Sequence, residues 1–164
     1  FEKLVSRIHG LKTILKLTDQ DQTMPSPPKV LCLDWMNPFY LAGHWIPDMV
    51  ATAGGQPLSS ASGMDSRQIT ISDIEKLDPD IIIIAPCGFD LKRTQREYDE
   101  LDTSQLKSLK AYKENHIFLV DSKSYFSKPS PRIITGIEIL CRILYPDLFK
   151  NIKLPDCSFS VADK

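Results

Sequence analysis

The chain opens with a helical pattern of apolar side chains. Within residues 1–17 the apolar positions recur at a spacing near 3.6, and they are Leu4, Val5, Ile8, Leu11, Ile14 and Leu15. Residues 18–28 follow as a polar, proline-rich linker. A helix set apart in this way belongs either to a boundary between two lobes or to the surface of the domain that follows. The pattern favours neither alternative.

From residue 29 to residue 149, short apolar runs alternate with amphipathic stretches. Continuous runs rich in branched residues predict buried strands over 29–33, 80–85 and 116–120. Helices are predicted over about 44–53, over a short stretch capped by Ser72 with Glu75, over 91–100, over 104–112, and from Ser130–Pro131 to about 145. This alternation predicts an α/β three-layer sandwich with a mainly parallel sheet. Residues 150–164 are polar, and we expect a loosely attached tail.

Composition and charge narrow the function classes. Of the 164 residues, 42% are hydrophobic and 25% charged, which fits one globular domain with a core of its own. The 20 basic and 21 acidic residues are mixed along the chain, so no basic patch supports nucleic-acid binding. The longest apolar run, 81–86, is too short to span a bilayer. Because the chain starts at Phe1 without an initiator Met, we expect a processed or excised piece.

Signs of catalysis are weak. The four cysteines stand far apart without zinc-ligand spacing, and no nucleophile elbow, dinucleotide fingerprint, phosphate loop or zinc-protease motif occurs. A thiol enzyme would need Cys87 as nucleophile with His44 as base, and nothing in the sequence fixes that pairing. We therefore expect a protein without catalytic residues and without a catalytic cofactor.

Aromatic side chains follow the ends of the three predicted strands. Trp35 follows the first strand, Phe89 the second, and Tyr125 and Phe126 the third. Because the carboxyl ends of parallel strands share one edge of a sheet, these four rings could converge there. Either they face a ligand or some of them plug the top of the core. The first alternative predicts a binding surface for a flat, largely apolar ligand.

Three further residues near this edge are candidates for ligand contact. Trp45, at the start of the next helix, could reach the crevice or anchor the core. His44 could hold a metal ion or a hydrogen-bonding group, although a surface role is the plainer alternative. Arg132 stands in the first turn of the last helix, where a cation is disfavoured. We expect an ion pair with Asp34 or Asp121, or a polar group of the ligand, to offset this.

Four motifs of the chain carry a resemblance to a known family, and they are Asp34-Trp35-Met36-Asn37-Pro38, Gly43-His44-Trp45-Ile46-Pro47-Asp48-Met49, Ala85-Pro86-Cys87-Gly88-Phe89-Asp90-Leu91 and Tyr125-Phe126-Ser127-Lys128-Pro129-Ser130-Pro131-Arg132. In these motifs the chain resembles the cobalamin-binding proteins of ABC importers, relatives of the vitamin B12 and iron-siderophore periplasmic binding proteins. The resemblance covers about residues 1–149, and the first, third and fourth motifs are the more specific ones. Asp78-Pro79-Asp80 before an isoleucine strand is common to the wider superfamily.

The resemblance implies two α/β lobes joined by one long helix, with the ligand between them. Residues 1–17 would be the C-terminal part of the bridging helix, 18–28 a linker, 29–149 the C-terminal lobe and 150–164 a tail. This chain would then supply half of a cleft. By position, the residues that would line a corrinoid are Trp35, Trp45, Phe89, Tyr125 and Phe126, and Arg132 is a further candidate.

The same resemblance implies an ABC permease as partner and an extracytoplasmic location. A corrin has a broad apolar face rimmed by amides, which stacking rings and a few polar groups would match. A heme or ferric siderophore is the alternative ligand, for which His44, Tyr125 and Arg132 are available. A thiol or chelatase enzyme, or a relative that binds a protein partner, are more distant alternatives. Without a second lobe, we expect the exposed apolar surface to drive self-association.

Overall fold

A computed structural model of the chain describes residues 2–19, 26–59, 61–156 and 158–162. The helices are Glu2–Asp19 (α1), Ile46–Thr52 (α2), Ile71–Leu77 (α3), Leu91–Asp99 (α4), Lys110–Lys113 (α5), Ser122–Tyr125 (α6) and Ile133–Leu144 (α7), with a 3-10 helix at Thr103–Ser108. The strands are Lys29–Met36 (β1), Phe39–Leu41 (β2), Gln56–Pro57 (β3), Arg67–Gln68 (β4), Ile81–Ile84 (β5), Ile117–Val120 (β6) and Phe159–Val161 (β7).

The described strands form one mixed sheet in the order β4-β2-β1-β5-β6-β7, with β3 also paired to β1. The three strands predicted from sequence, β1, β5 and β6, are neighbours and run parallel. Antiparallel strands flank them on both sides, β2 and β4 on one and β7 on the other. All four isoleucines of β5 are buried, as expected for a central strand covered on both faces.

Helices cover both faces of the sheet, which confirms the three-layer α/β sandwich. Alternate side chains of β5 point to opposite layers: Ile83 packs with the residues of α2 and α7, and Ile82 packs with those of α3 and α4. None of the described helices combines the length and the apolarity that a membrane crossing requires.

Several predicted boundaries differ from the structure. The cap of α3 is Thr70 rather than Ser72, because the extended backbone of Thr70 lets its hydroxyl accept from the Asp73 amide in a complete capping box. The predicted helix over 104–112 divides into the 3-10 helix and α5 because Leu109, between them, is extended.

The last helix also starts later than predicted. Arg132 is the N-cap of α7 and makes no side-chain cap, whereas Ser130 lies in a turn before the helix and accepts a bond from the Arg132 amide at 3.3 Å. Ser130 is therefore not the N-cap.

The described part of the tail is attached to the sheet. β7 pairs with β6, with Phe159 opposite Val120 and Val161 opposite Phe118. Before it, Phe149 is almost fully buried in the core cluster on the α7 face. The expectation of a loosely attached tail is therefore wrong for residues 159–161, since this short strand pairs with the edge of β6 and Phe159 packs against the core. Cys157 lies outside the described residues.

Helix α1 packs on α7 through its C-terminal half. Leu11 is buried in the core, and Ile14 and Leu15 pack against the same cluster. Leu4 and Ile8 are only partly buried, Val5 is exposed, and none of the three belongs to a core cluster. Half of the predicted apolar stripe is thus used by this domain and half is not.

Candidate functional site

The ends of the three parallel strands surround a cleft of about 230 Å³. Asp34 near the end of β1, Ala85 after β5 and Ser122 after β6 line its floor, and Trp45 and His44 form one wall. This is the sheet edge at which the sequence predicted a site, because the carboxyl ends of parallel strands meet there.

Hydrogen bonds join the two loops that follow β5 and β6. The Ser122 hydroxyl donates to the Ala85 carbonyl at 3.0 Å, and the Ser127 hydroxyl lies 2.8 Å from the Ser122 hydroxyl. Ser127 also accepts from the Gly88 amide at 2.8 Å. These bonds hold the far wall of the cleft in one arrangement.

Trp45 connects α2 to this wall. It is the N-cap residue of α2, and its indole N–H donates to the Phe126 carbonyl at 2.8 Å. Its ring is partly buried against the core, and the His44 ring lies 5.8 Å away, centroid to centroid. Trp45 therefore serves as a core anchor and also lines the crevice, so both sequence-based alternatives describe part of its position.

Phe126 lines this cleft, whereas Tyr125, the residue before it, does not. Phe126 is only 2% exposed and belongs to the core cluster, whereas Tyr125 is partly buried against the same cluster. Gly136 of α7 lets this segment approach closely, because a Cβ there would stand 2.5 Å from the Tyr125 carbonyl oxygen. Of the two rings, that of Tyr125 is the one that solvent reaches.

Trp35 and Phe89 form a separate aromatic pair. Their ring centroids lie 5.2 Å apart in an edge-to-face arrangement, and the Arg93 guanidinium stands 3.7 Å above the Phe89 ring. Phe89 is buried, but Trp35 is 39% exposed. The pair borders a second cleft of about 310 Å³, which also includes Glu97 and Glu100. Of the predicted rings, Trp45 and Phe126 line the first cleft and Trp35 and Phe89 line the second, whereas Tyr125 lines neither.

Asp34 is a half-buried acid on the floor of the first cleft. It accepts a hydrogen bond from the Ser66 hydroxyl, and Ser66 in turn accepts from the Gly43 amide at 3.2 Å. Burial raises the pKa of the Asp34 carboxyl above its ordinary value, and the Ser66 hydrogen bond and the nearby His44 only partly oppose this. Burial, reinforced by Asp34, also raises the pKa of the neighbouring Cys32 thiol to about 12.

A serine-rich loop, residues 61–66, lies against the His44 wall. The His44 amide donates to the Met64 carbonyl at 2.7 Å, and the Gly63 amide donates to the His44 carbonyl at 2.9 Å. Gly43 is required for this approach, because a Cβ there would lie 2.2 Å from the Met64 oxygen. His44 itself has a positive φ of 55°, so the wall has a constrained backbone.

The remaining candidates have fewer partners. Arg132 is exposed, and within the described residues its guanidinium forms no ion pair. The expected pairing is wrong, because Asp34 accepts from Ser66 and Asp121 caps α6 by accepting from the Ser124 amide at 3.0 Å. Because the guanidinium is exposed to solvent, its unfavourable interaction with the positive end of the helix dipole is weak, and a cation is tolerated at this helix N-terminus.

His44 and Cys87 line the same cleft. The His44 imidazole lies 3.9 Å from the Asp65 carboxylate, and no hydrogen bond links it to the Cys87 thiol within the described residues. No group of three potential metal ligands occurs in the described part of the chain. Cys32, Cys87 and Cys141 are free thiols.

Sequence reasoning missed the polar residues that organise this site. Asp34 entered as a partner for Arg132 and as the first residue of a motif, and Ser66, Ser122 and Ser127 were not singled out. Among the serines a signal existed for Ser127 alone, since it stands within the motif that runs from Tyr125 to Arg132. The bonds from Ser66 to Asp34 and from Ser122 to Ala85 join residues more than 30 positions apart in the chain.

Comparison with known proteins assigns the chain to a protein family. A family model described as periplasmic binding protein matches residues 10–124, and the chain therefore belongs to the periplasmic binding protein family. A comparison with curated protein sequences found no match. The fold matches one lobe of these proteins, since the chain spans only about half the length of the solved structures it resembles.

Three of those structures illustrate the range of ligands. A periplasmic heme-binding protein from Pseudomonas aeruginosa superposes with a TM-score of 0.71 at 17% identity, over 97% of this chain and 55% of that chain. The periplasmic vitamin B12-binding protein BtuF of Vibrio cholerae gives 0.59 at 14%, over 88% and 53%. A periplasmic solute-binding protein from Veillonella parvula gives 0.64 at 20%, over 92% and 46%. At these identities the likeness establishes the fold alone.

Proposed function

We propose that this chain is one lobe of the solute-binding component of an ABC-type importer and that it holds one face of a corrinoid ligand. The observation that carries the proposal is the exposed indole of Trp35 at the end of a central strand. An indole that remains 39% exposed adds little to the core, yet Phe89 and Arg93 hold its surroundings in place. An aromatic ring displayed in this way suits stacking on a flat ligand.

The sizes of the two clefts support a shared site. At about 230 and 310 Å³, each lies at or below the lower limit of pockets that enclose a drug-sized ligand. A corrinoid is larger than such a ligand, so this edge would cover one face of it. A second lobe would cover the other face, and α1, whose residues Leu4, Val5 and Ile8 are unused here, would lead to that lobe.

The proposed contacts follow from exposure. Trp35 and Tyr125 would stack on the ring system, Trp45 would border it, and Phe89 and Phe126 would support these side chains from below. Arg132 would meet a polar group at the ligand rim, because its guanidinium is exposed. Delivery to an ABC permease and an extracytoplasmic location belong to the same proposal.

Heme is a second candidate, favoured by one observation. The His44 side chain is half exposed at the mouth of the first cleft, beside the Trp45 ring. A neutral imidazole in that position could bind the iron of a heme whose plane rests on the indole. The similar heme-binding structure from Pseudomonas aeruginosa is consistent with this alternative.

The test is a titration of the chain, labelled with nitrogen-15, with dicyanocobinamide, cyanocobalamin, hemin and a ferric siderophore. We expect corrinoids to shift the amide resonances of the strand-end loops, and Trp35→Ala to weaken that binding by roughly tenfold or more. Leu148→Ala is the matched control, since Leu148 is similarly exposed, at 37%, but lies outside both clefts. Saturable binding of hemin alone, abolished by His44→Ala, would favour the second candidate instead.

A further inference from the structure

The first cleft holds few hydrogen-bond donors that a ligand could use. Trp45 has a single indole N–H, and that proton is donated to the Phe126 carbonyl at 2.8 Å. At the rim, the His44 and Gly43 amides are likewise used, by Met64 and Ser66. The backbone and indole donors of this wall therefore have protein acceptors.

The two serine hydroxyls of the opposite wall are also committed. Ser122 has one proton, and it goes to the Ala85 carbonyl, which can only accept. In the contact between Ser122 and Ser127, the proton must therefore come from Ser127. Both hydroxyl protons point into the protein, and what these side chains have left for a ligand is oxygen lone pairs.

Asp34 adds a strong acceptor to this wall of acceptors. Within the described residues, Ser66 is the one residue whose side chain donates a hydrogen bond to the Asp34 carboxylate, and its hydroxyl donates to Oδ2. The carboxylate lines the cleft and is partly removed from water. A half-buried carboxylate with a free lone pair is stabilised by any donor that a ligand brings to it.

We propose that Asp34 accepts a hydrogen bond from the bound ligand, and that the cleft thereby selects ligands rimmed with amide or amine groups over ligands rimmed with carboxylates. This inference rests on the proposed function and names the ligand chemistry of the same site. A corrinoid amide can donate to Asp34. A carboxylate, such as a heme propionate, would bring a second negative charge next to Asp34 and to the oxygen lone pairs of Ser122 and Ser127.

The test compares two corrinoids that share the corrin ring and differ in its side chains: dicyanocobinamide, whose side chains carry amides, and dicyanocobyrinic acid, whose side chains end in carboxylates. Both are titrated into the nitrogen-15-labelled chain at pH 7.5 and fixed ionic strength. We expect the wild type to prefer the carboxamide by roughly tenfold or more. Asp34→Asn should reduce the preference at least severalfold, since an amide can still accept from Ser66 and can also donate to a carboxylate.

Asp48→Asn is the matched control, because it removes the same charge from a carboxylate that also accepts a serine hydroxyl, that of Ser62, and that lines neither cleft. It should leave the preference unchanged. Equal binding of the two corrinoids by the wild type, or an unchanged preference in Asp34→Asn, would overturn the inference. A loss of preference in Asp48→Asn as large as in Asp34→Asn would also overturn it.

Failure of the proposed function gives a different result. If neither corrinoid binds, the corrinoid proposal is wrong, and the same comparison is made with hemin and its diamide. Preference for the diamide, reduced by Asp34→Asn, would support selection by Asp34 on another ring system. Preference for hemin itself would overturn both proposals.

Discussion

The ion pair that joins α1 to α7 allows a quantitative test of how firmly the opening helix is held. Arg7 donates from Nε to Glu138 Oε1 at 2.8 Å and from Nη2 to Oε2 at 2.5 Å, and Nη2 also reaches Thr135 Oγ1 at 3.0 Å. The side chains are unequally exposed, 34% for Arg7 and 11% for Glu138. Arg7→Met should therefore leave a carboxylate that water reaches poorly and that has lost its bidentate partner.

The expected loss of stability lies between two limits. Removing one partner of a fully buried pair costs about 3–5 kcal/mol, whereas an exposed pair contributes about 0–1 kcal/mol. Because Arg7 is one-third exposed, we expect Arg7→Met to lower the free energy of unfolding by about 2 kcal/mol. Glu138→Met should cost only about 1 kcal/mol, since Arg7 can turn toward water. The double variant should then show a coupling energy of about 1 kcal/mol or more.

Urea denaturation of the four proteins measures the cycle. For a domain of this size, a loss of about 2 kcal/mol corresponds to a fall of roughly 4–8 °C in Tm. Lys12→Met is the control, because Lys12 is an exposed residue of the same helix and its loss should change stability by less than about 0.5 kcal/mol. Equal stability of Arg7→Met and Lys12→Met would refute the attachment of α1 at this point.

Three further predictions address the site and the assembly. Trp35→Ala and Tyr125→Ala should each weaken corrinoid binding by roughly 1–3 kcal/mol with little change in Tm, and normal binding combined with early unfolding would assign both rings to the core. Asp34→Asn should be more stable than the wild type at pH 7.5 and equally stable near pH 3. Burial raises the folded-state pKa of Asp34, so wild-type stability is complete below the unfolded pKa of about 3.9 and falls as pH rises through the folded value. Urea curves at both pH values check this, and a difference independent of pH would contradict it. The chain should self-associate at rising concentration in sedimentation velocity, and Leu4→Glu with Ile8→Glu should reduce the association, whereas a strictly monomeric wild type would contradict it.

The central strands could be predicted because their sequences need no distant context. An uninterrupted apolar run such as 81–84 fits only a strand covered on both faces, and two further runs of this kind specify a parallel core. The other strands, β2, β3, β4 and β7, are two or three residues long. At that length the side-chain pattern contains too few positions to show a period, and pairing with a neighbour decides the conformation.

The site was predictable in position and not in detail. Parallel strands place their carboxyl ends at one edge, so the loops with Trp35, Phe89 and Tyr125 could be brought together on topology alone. The sequence does not show that Asp34 and Trp35, adjacent in β1, line different clefts. It also does not show that Phe126 turns into the core, since an aromatic residue in a loop satisfies either role equally.

Asp34 illustrates why the missed polar residues bear on function. Its burial disfavours the charged form, so near neutral pH the folded chain is less stable than it would be with a neutral side chain of the same shape. No ion pair with a lysine or arginine compensates it within the described residues, and the Ser66 hydroxyl, its own backbone amide and the nearby His44 do so only in part. A fold that needed only to connect β1 to the serine-rich loop could use an amide at this position. The carboxylate lowers the stability of the unliganded fold, and a ligand group that donates a hydrogen bond to it would reverse this effect. The free energy that the fold loses would then appear as binding affinity for the ligand, which accounts for an acid at this position.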